Sequence, residues 1–128
     1  MKIDHVAIWV KDLEIMKAFY VKYFNMTAGE KYSNPKKHFS SYFLSFDLES
    51  ARIEIMHNSQ MSELDKGSSI FGWAHIAISV GSHDAVDDLT EQLRIDGYAI
   101  HGEPRTTGDG YYESVILDPE GNQVEITL

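Results

Sequence analysis

His5 and His75 lie seventy positions apart and open the same string: Ile3-Asp4-His5-Val6-Ala7-Ile8-Trp9-Val10 and Trp73-Ala74-His75-Ile76-Ala77-Ile78-Ser79-Val80 share His-aliphatic-Ala-Ile-x-Val. Two glutamates recur with them. Glu54, in Arg52-Ile53-Glu54-Ile55-Met56, and Glu125, in Gln123-Val124-Glu125-Ile126-Thr127, each stand between aliphatics, 49 and 50 positions after their histidine. Two imidazoles and two carboxylates, borderline nitrogen with hard oxygen, are a donor set for one divalent ion such as Zn²⁺, Ni²⁺, Co²⁺, Mn²⁺ or Fe²⁺. Taken singly, a strand histidine is usually a hydrogen-bonded core or rim residue, and the Glu of Ile-Glu-Ile is the wet face of an amphipathic strand. The joint recurrence of both types at matching separation is what sets these four apart. His38, His57, His83 and His101 have no repeated counterpart and read as surface or loop residues.

Strands are needed to aim such a set. Side chains alternate along a strand, so Val6, Ile8 and Val10, like Ile76, Ile78 and Val80, share one face, and His5, Ala7 and Trp9, like His75, Ala77 and Ser79, share the other. The same parity puts Glu54 and Glu125 opposite their flanking aliphatics, on the histidine side. The aliphatic faces need covers. Leu13, Met16, Tyr20, Tyr23 and Phe24 fall at helical spacing behind Asp12, a suitable N-cap, and predict a helix from 12 to 24. A second helix is predicted from Ser82 or Asp84 to about Asp96, with Val86, Leu89 and Leu93 as its stripe and Gly97 as its stop. Further strands are expected near 28–32, 39–46, 51–57, 98–101, 113–117 and 123–128. Turns are expected at Asp47-Leu48-Glu49-Ser50 and Asp118-Pro119-Glu120-Gly121-Asn122, and a flexible loop at Thr107-Gly108-Asp109-Gly110. Each half then reads β-α-β-β-β, an α+β protein of two such modules. A pseudo-twofold relation between them would bring His5, Glu54, His75 and Glu125 to one centre.

A chain of 128 residues is long enough for one domain with a substantial core, divided here into a module of about 1–57, a linker of about 58–72 that could drape over the site, and a module of about 73–128. A net charge of −9, with no stripe of Lys and Arg, disfavours nucleic acid and anionic membrane as partners and leaves a small molecule as the expected ligand. The absence of cysteine rules out disulfides, a thiolate nucleophile and Cys-ligated metal. An acid and a histidine stand where a signal peptide needs its apolar run, so the expected location is cytoplasmic.

The repeated His-aliphatic-Ala-Ile-x-Val strand, Asp118-Pro119-Glu120-Gly121-Asn122 and Val124-Glu125-Ile126 resemble the vicinal oxygen chelate superfamily over essentially the whole chain. That superfamily contains glyoxalase I, bleomycin-resistance proteins, extradiol dioxygenases, methylmalonyl-CoA epimerase and fosfomycin-resistance enzymes. The resemblance implies paired βαβββ modules curled into an open, barrel-like cup around a metal, often in a homodimer. Extradiol dioxygenases use two His and one Glu, whereas two His and two Glu resemble glyoxalase I. There the metal holds two oxygens of a hemithioacetal, and a glutamate moves a proton between adjacent carbons through an enediolate. Glu54 and Glu125 are by resemblance the candidates for that transfer, and a divalent ion, Zn²⁺ or Ni²⁺ foremost, is the implied cofactor. Trp9 stands where the glutathione-using group has an arginine, which suits a more aromatic or apolar substrate; Asn58 matches a polar contact of that group. Arg105 and the loop Asp109-Gly110-Tyr111-Tyr112-Glu113, Tyr111 among them, are expected at the rim of the mouth. A lyase or isomerase of glyoxalase I type is therefore expected, with a drug-sequestering protein of bleomycin-resistance type and an Fe²⁺ ring-cleaving dioxygenase as the alternatives.

Overall fold

A helix that lies on a sheet must offer it an apolar stripe, and the first helix does so with aromatic bulk. In the computed structural model, which describes residues 4–47, 50–61, 74–108 and 110–128, helix α1 (Leu13–Phe24) buries Leu13, Met16, Phe19, Tyr20, Tyr23 and Phe24. Asp12 starts it, its Oδ1 accepting from the backbone N–H groups of Glu14 and Ile15 at 2.9 and 3.0 Å, and Asn25 ends it in the left-handed conformation. Phe19 belongs to the stripe that the sequence assigned to its neighbours. Leu48, Glu49, Asp109, residues 62–72 of the expected linker, and Trp73 lie outside the described residues.

Two compact units divide the chain, Met1–Leu64 and Asp65–Leu128. In the first, strands β1 (His5–Trp9), β2 (Thr27–Ala28), β3 (Tyr32–Asn34), β4 (Phe39–Ser45) and β5 (Arg52–Asn58) form a mixed sheet ordered β1-β5-β4-β2, with β3 also on β4. The strand expected at 28–32 is split in two. Asn34 then caps a single 3₁₀ turn, Pro35–Lys37, which ends at His38 in the left-handed conformation. Strand β1 lies parallel to β5, and α1 packs on β4 and β5 over Tyr42, Leu44, Ile53 and Ile55.

The second unit repeats the plan with β6 (His75–Ser79), helix α2 (His83–Ile95), β7 (Ile100–Thr106), β8 (Tyr112–Leu117) and β9 (Gln123–Thr127), ordered β6-β9-β8-β7 with β6 parallel to β9. Ser82 caps α2 by accepting from Ala85 N–H at 3.1 Å. Val86, Thr90 and Leu93 are buried beneath it, whereas Leu89 is half-buried. Thr90 is held by its own hydroxyl, which bonds Val86 O at 2.6 Å and Ser114 Oγ at 2.7 Å. Strand β7 runs five residues beyond the expected 98–101, through Gly102 and Pro104. Those residues read as breakers, yet β7 is an edge strand with two register shifts against β8, where a missing N–H and a missing side chain are tolerated.

The turn between β8 and β9 is organised by one buried carboxylate. Asp118 Oδ1 accepts from the N–H groups of Glu120 and Asn122, both at 2.9 Å, Oδ2 accepts from Asn122 Nδ2 at 2.8 Å, and Gly121 takes φ of 79°. Asp118→Ala is expected to cost about 2 to 3 kcal/mol in a urea melt, because charge-assisted bonds are lost and two backbone donors are stranded.

Glu14 ties α1 to β4. It accepts from Lys17, from Lys31 at 3.0 Å and from Tyr42 Oη at 2.9 Å, and these bonds, that of Lys17 foremost, hold its carboxyl down to about 2 from an ordinary 4.5. A depressed carboxylate contributes stability above its unfolded pKa and loses it as pH falls through the folded one. Glu14→Gln should therefore be less stable than wild type above pH 4.5, by a small margin because the site is exposed, and the two melting curves should converge toward pH 2.

Candidate metal half-sites

Each unit places one His and one Glu on the sheet face turned away from its helix, in the same register. In the first, His5 is paired with Arg52 and Ala7 with Glu54; in the second, His75 is paired with Gln123 and Ala77 with Glu125. The imidazole thus reaches diagonally across two neighbouring strands toward the carboxylate. His75 Nε2 lies 3.1 Å from Glu125 Oε2, and His5 Nε2 lies 3.9 Å from Glu54 Oε2. Both glutamates are largely enclosed, with side chains 16% (Glu54) and 19% (Glu125) exposed, and both histidines stand more open at 39%.

Two ligands bound at roughly 2.1 Å to one ion sit about 3 Å apart, so each pair has the donor types and close to the spacing that a divalent ion needs from two of its ligands. Each pair supplies two donors. Among the described residues no group of three or more His, Cys, Asp or Glu gathers to hold a metal.

The surroundings of the two pairs differ. In the second unit a cavity of about 340 Å³ opens over the pair, lined by His75 and Ala77 of β6, Glu125 and Thr127 of β9, Glu113 of β8, and Thr107 and Tyr111 of the β7–β8 connection. Glu113, opposite Thr127 across the strands, brings a second carboxylate to this cavity; its side chain is 13% exposed and faces Arg105 at 3.4 Å. The sequence puts it in the loop expected at the rim of the mouth but sets it apart in no other way, because it has no acidic counterpart in the repeat: the corresponding place in the first unit, opposite Met56, is the buried Ser41. Arg105 lies over Gly102, where an added Cβ would come within 3.1 Å of its Nη1. Tyr111 is 60% exposed at the cavity edge. The connection that carries it is tied by Thr107 N–H to Tyr111 O at 2.8 Å and Tyr111 N–H to Thr107 Oγ1 at 3.0 Å.

In the first unit the same face is aromatic. Phe43 pairs with Glu54 across the strands and meets the His5 ring edge-on at 5.3 Å. Trp9, 45% exposed, stands edge-on to Phe39 at 6.1 Å, and Tyr32 lies 6.0 Å beyond Phe39. Asn58, at the end of β5, has both ends of its amide engaged, Nδ2 donating to Lys37 O at 3.3 Å and Oδ1 accepting from Gln60 N–H at 2.9 Å. Asp4 receives His5 Nδ1–H at 2.9 Å and a bond from Arg52, and these, His5 first, hold its carboxyl below the usual carboxylate range. Of the unrepeated histidines, His57 is a half-buried strand residue whose Nδ1 meets Val10 O at 3.0 Å, and His83 opens α2 with its ring 4.4 Å from that of Tyr112. His101 is exposed on β7.

Two βαβββ units with a parallel first and last strand define an α+β fold built from tandem modules. The chain matches the family described as Glyoxalase/Bleomycin resistance protein/Dioxygenase superfamily over residues 2–126, and it belongs to that superfamily. It is 27% identical to the lactoylglutathione lyase of Salmonella typhimurium over 98% of this chain and 91% of that protein. Among solved structures it resembles glyoxalase I from Zea mays, with a TM-score of 0.78 and 26% identity over 98% of this chain and 44% of the maize chain. It also resembles the trypanothione-dependent glyoxalase I of Leishmania major, with a TM-score of 0.80 and 23% identity over 99% and 86% of the two chains, a likeness of fold. Among the described residues no helix is long and apolar enough to cross a membrane.

The Arg105–Glu113 pair couples the β7 edge to the cavity wall. A double-mutant cycle with Arg105→Ala and Glu113→Ala, read by denaturant melts, should give a coupling of about 0.5 to 1 kcal/mol, modest because Arg105 is half exposed.

Proposed function

We propose that this chain is a divalent-metal-dependent lyase or isomerase of glyoxalase I type, and that His5, Glu54, His75 and Glu125 supply the ligands of one ion. The observation that carries the reading is the repetition of one His–Glu pair, at one register and on the face opposite the helix, in both units. Kinship with lactoylglutathione lyases over nearly the whole chain supports the same class.

When bound, the ion supplies Lewis acidity toward two neighbouring oxygens of a small substrate. The chain's own work is proton transfer. A carboxylate of Glu54 or Glu125 takes the proton from the carbon beside a carbonyl, leaving an enediolate-type species, and returns it to the adjacent carbon. Nothing is oxidised or reduced overall. The largely enclosed setting of both glutamates favours this, since a carboxylate screened from bulk water returns the proton it took. The aromatic row Trp9, Phe39 and Tyr32, where the glutathione-using group would have an arginine at position 9, suits an apolar or aromatic part of the substrate. Tyr111 at the cavity edge, with Arg105 behind Glu113, suits its polar end. A homodimer belongs to the same reading and is checked by sedimentation.

Metal analysis before and after chelation, with a thermal melt alongside, tests the proposal. Zn²⁺ or Ni²⁺ at a hundred times its Kd should stabilise the fold by about 2.7 kcal/mol. Glu54→Gln and Glu125→Gln should each weaken metal binding, and at least one should slow the proton transfer between the substrate carbons, read as turnover of substrate deuterated at the reacting carbon, about a hundredfold or more. A protein that takes up no metal yet holds a cationic drug tightly would instead be a sequestering protein, and O₂ uptake with catechols would mark a dioxygenase.

A further inference from the structure

The two half-sites share their His–Glu pair but not what holds the histidine. Around His5 four side chains close a ring: His5 Nδ1–H donates to Asp4 Oδ2 at 2.9 Å, Asp4 accepts from Arg52, the Arg52 guanidinium carbon sits 4.3 Å over the centre of the Phe43 ring, and Phe43 meets His5 edge-on at 87°. Strand pairing puts them there. Arg52 is the cross-strand partner of His5, and Phe43 is that of Glu54. At the corresponding places of the second unit stand Ala74 before His75, Gln123 opposite His75 and Val115 opposite Glu125, which offer no carboxylate, no guanidinium and no ring.

An imidazole presents one lone pair at a time when neutral, and the nitrogen bearing the proton is settled by the bond it makes. A carboxylate accepts only, so the bond from Nδ1 to Asp4 requires the proton on Nδ1 and leaves the lone pair on Nε2, the nitrogen nearest Glu54 Oε2. We propose that Asp4 is a positioning residue for the metal site, holding His5 as the Nδ1–H tautomer with Nε2 free to ligate, while Arg52 and Phe43 fix the carboxylate and the ring plane. His75 is without this frame, so the two histidines contribute unequally to metal affinity. The inference rests on the metal reading for its purpose, but the tautomer can be read without metal.

The test uses the full chain with ¹⁵N-labelled histidine, first metal-free at a pH where imidazole is neutral, then titrated with Zn²⁺ against a competing chelator. Long-range ¹H–¹⁵N spectra of the wild type should show His5 as the Nδ1–H tautomer. In Asp4→Ala it should move to the Nε2–H form that free imidazole side chains prefer, and in Asp4→Asn, which retains an acceptor oxygen, it should stay. Zn²⁺ affinity should fall about 10- to 100-fold in Asp4→Ala and less in Asp4→Asn, with unchanged thermal melts of the metal-free proteins. An Nε2–H His5 in the wild type, or wild-type tautomer and affinity in Asp4→Ala, would overturn the inference. Should the wild type bind no Zn²⁺, the metal reading fails and the metal-free spectra alone decide whether Asp4 sets the tautomer. Asp4→Val, which likewise removes the acceptor, gives the same comparison if Asp4→Ala does not fold.

Discussion

The parallel pairing of the first strand of each unit with its last is the constraint on which everything else rests. A parallel neighbour cannot be reached by a tight turn, so the helix and the intervening strands must be spent before the chain returns. That crossover delivers the cover for the aliphatic face, and it leaves the opposite face free of the helix. A histidine near the start of one strand and a glutamate near the middle of the other then meet as diagonal neighbours on that free face. A slip of one residue in either pairing would turn the whole set of one strand over, burying the carboxylate under the helix and exposing the aliphatics. The buried Ile53, Ile55, Val124 and Ile126 therefore fix the position of Glu54 and Glu125 as firmly as any contact the glutamates make themselves.

Around this shared frame the two units have diverged in complementary directions. The first surrounds its pair with rings and a salt-bridged acid; the second hollows out a polar cavity with hydroxyls and an additional carboxylate, itself paired to an arginine. The divergence lies in side chains that do not touch the helix-packed core, where a change costs little stability. Glu113 and Ser41 show how it happens. They hold corresponding places in β8 and β4, yet Ser41 is buried and Glu113 opens on a cavity with room for its charge.

What could be read from the sequence was what is periodic or local. Alternation in residues 5–10 and 75–80 gave the faces, helical spacing gave α1 and α2, and Asp12, Ser82 and Asp118 act within a few residues of themselves, as capping and turn residues do. What escaped depends on register between distant strands. Asp4 and Arg52 are 48 positions apart, and nothing in either residue announces the other. Arg105 meets Glu113 only because β7 continues through Gly102 and Pro104, and those two residues are the strongest local signals that a strand should stop. Thr90 is a polar residue on an apolar stripe, acceptable there because the Val86 carbonyl of its own helix and Ser114 satisfy its hydroxyl, and Ser114 is invisible until the helix is laid on the sheet.

The repeat is for that reason a stronger pointer to the site than any one of its residues. A lone histidine on an edge strand, such as the exposed His101, is compatible with many demands and points to none. A histidine and a glutamate kept together in two units that otherwise differ at Asp4 and Ala74, Arg52 and Gln123, Phe43 and Val115, and Ser41 and Glu113 answer to a requirement those neighbours do not share. Packing cannot be that requirement, because all four side chains lie on the face turned away from the helix and contribute nothing to its core. Donation of nitrogen and oxygen to a common ligand is a requirement that calls for both residue types at once, which is why the chemistry is sought in the pair and the specificity in what has changed around it.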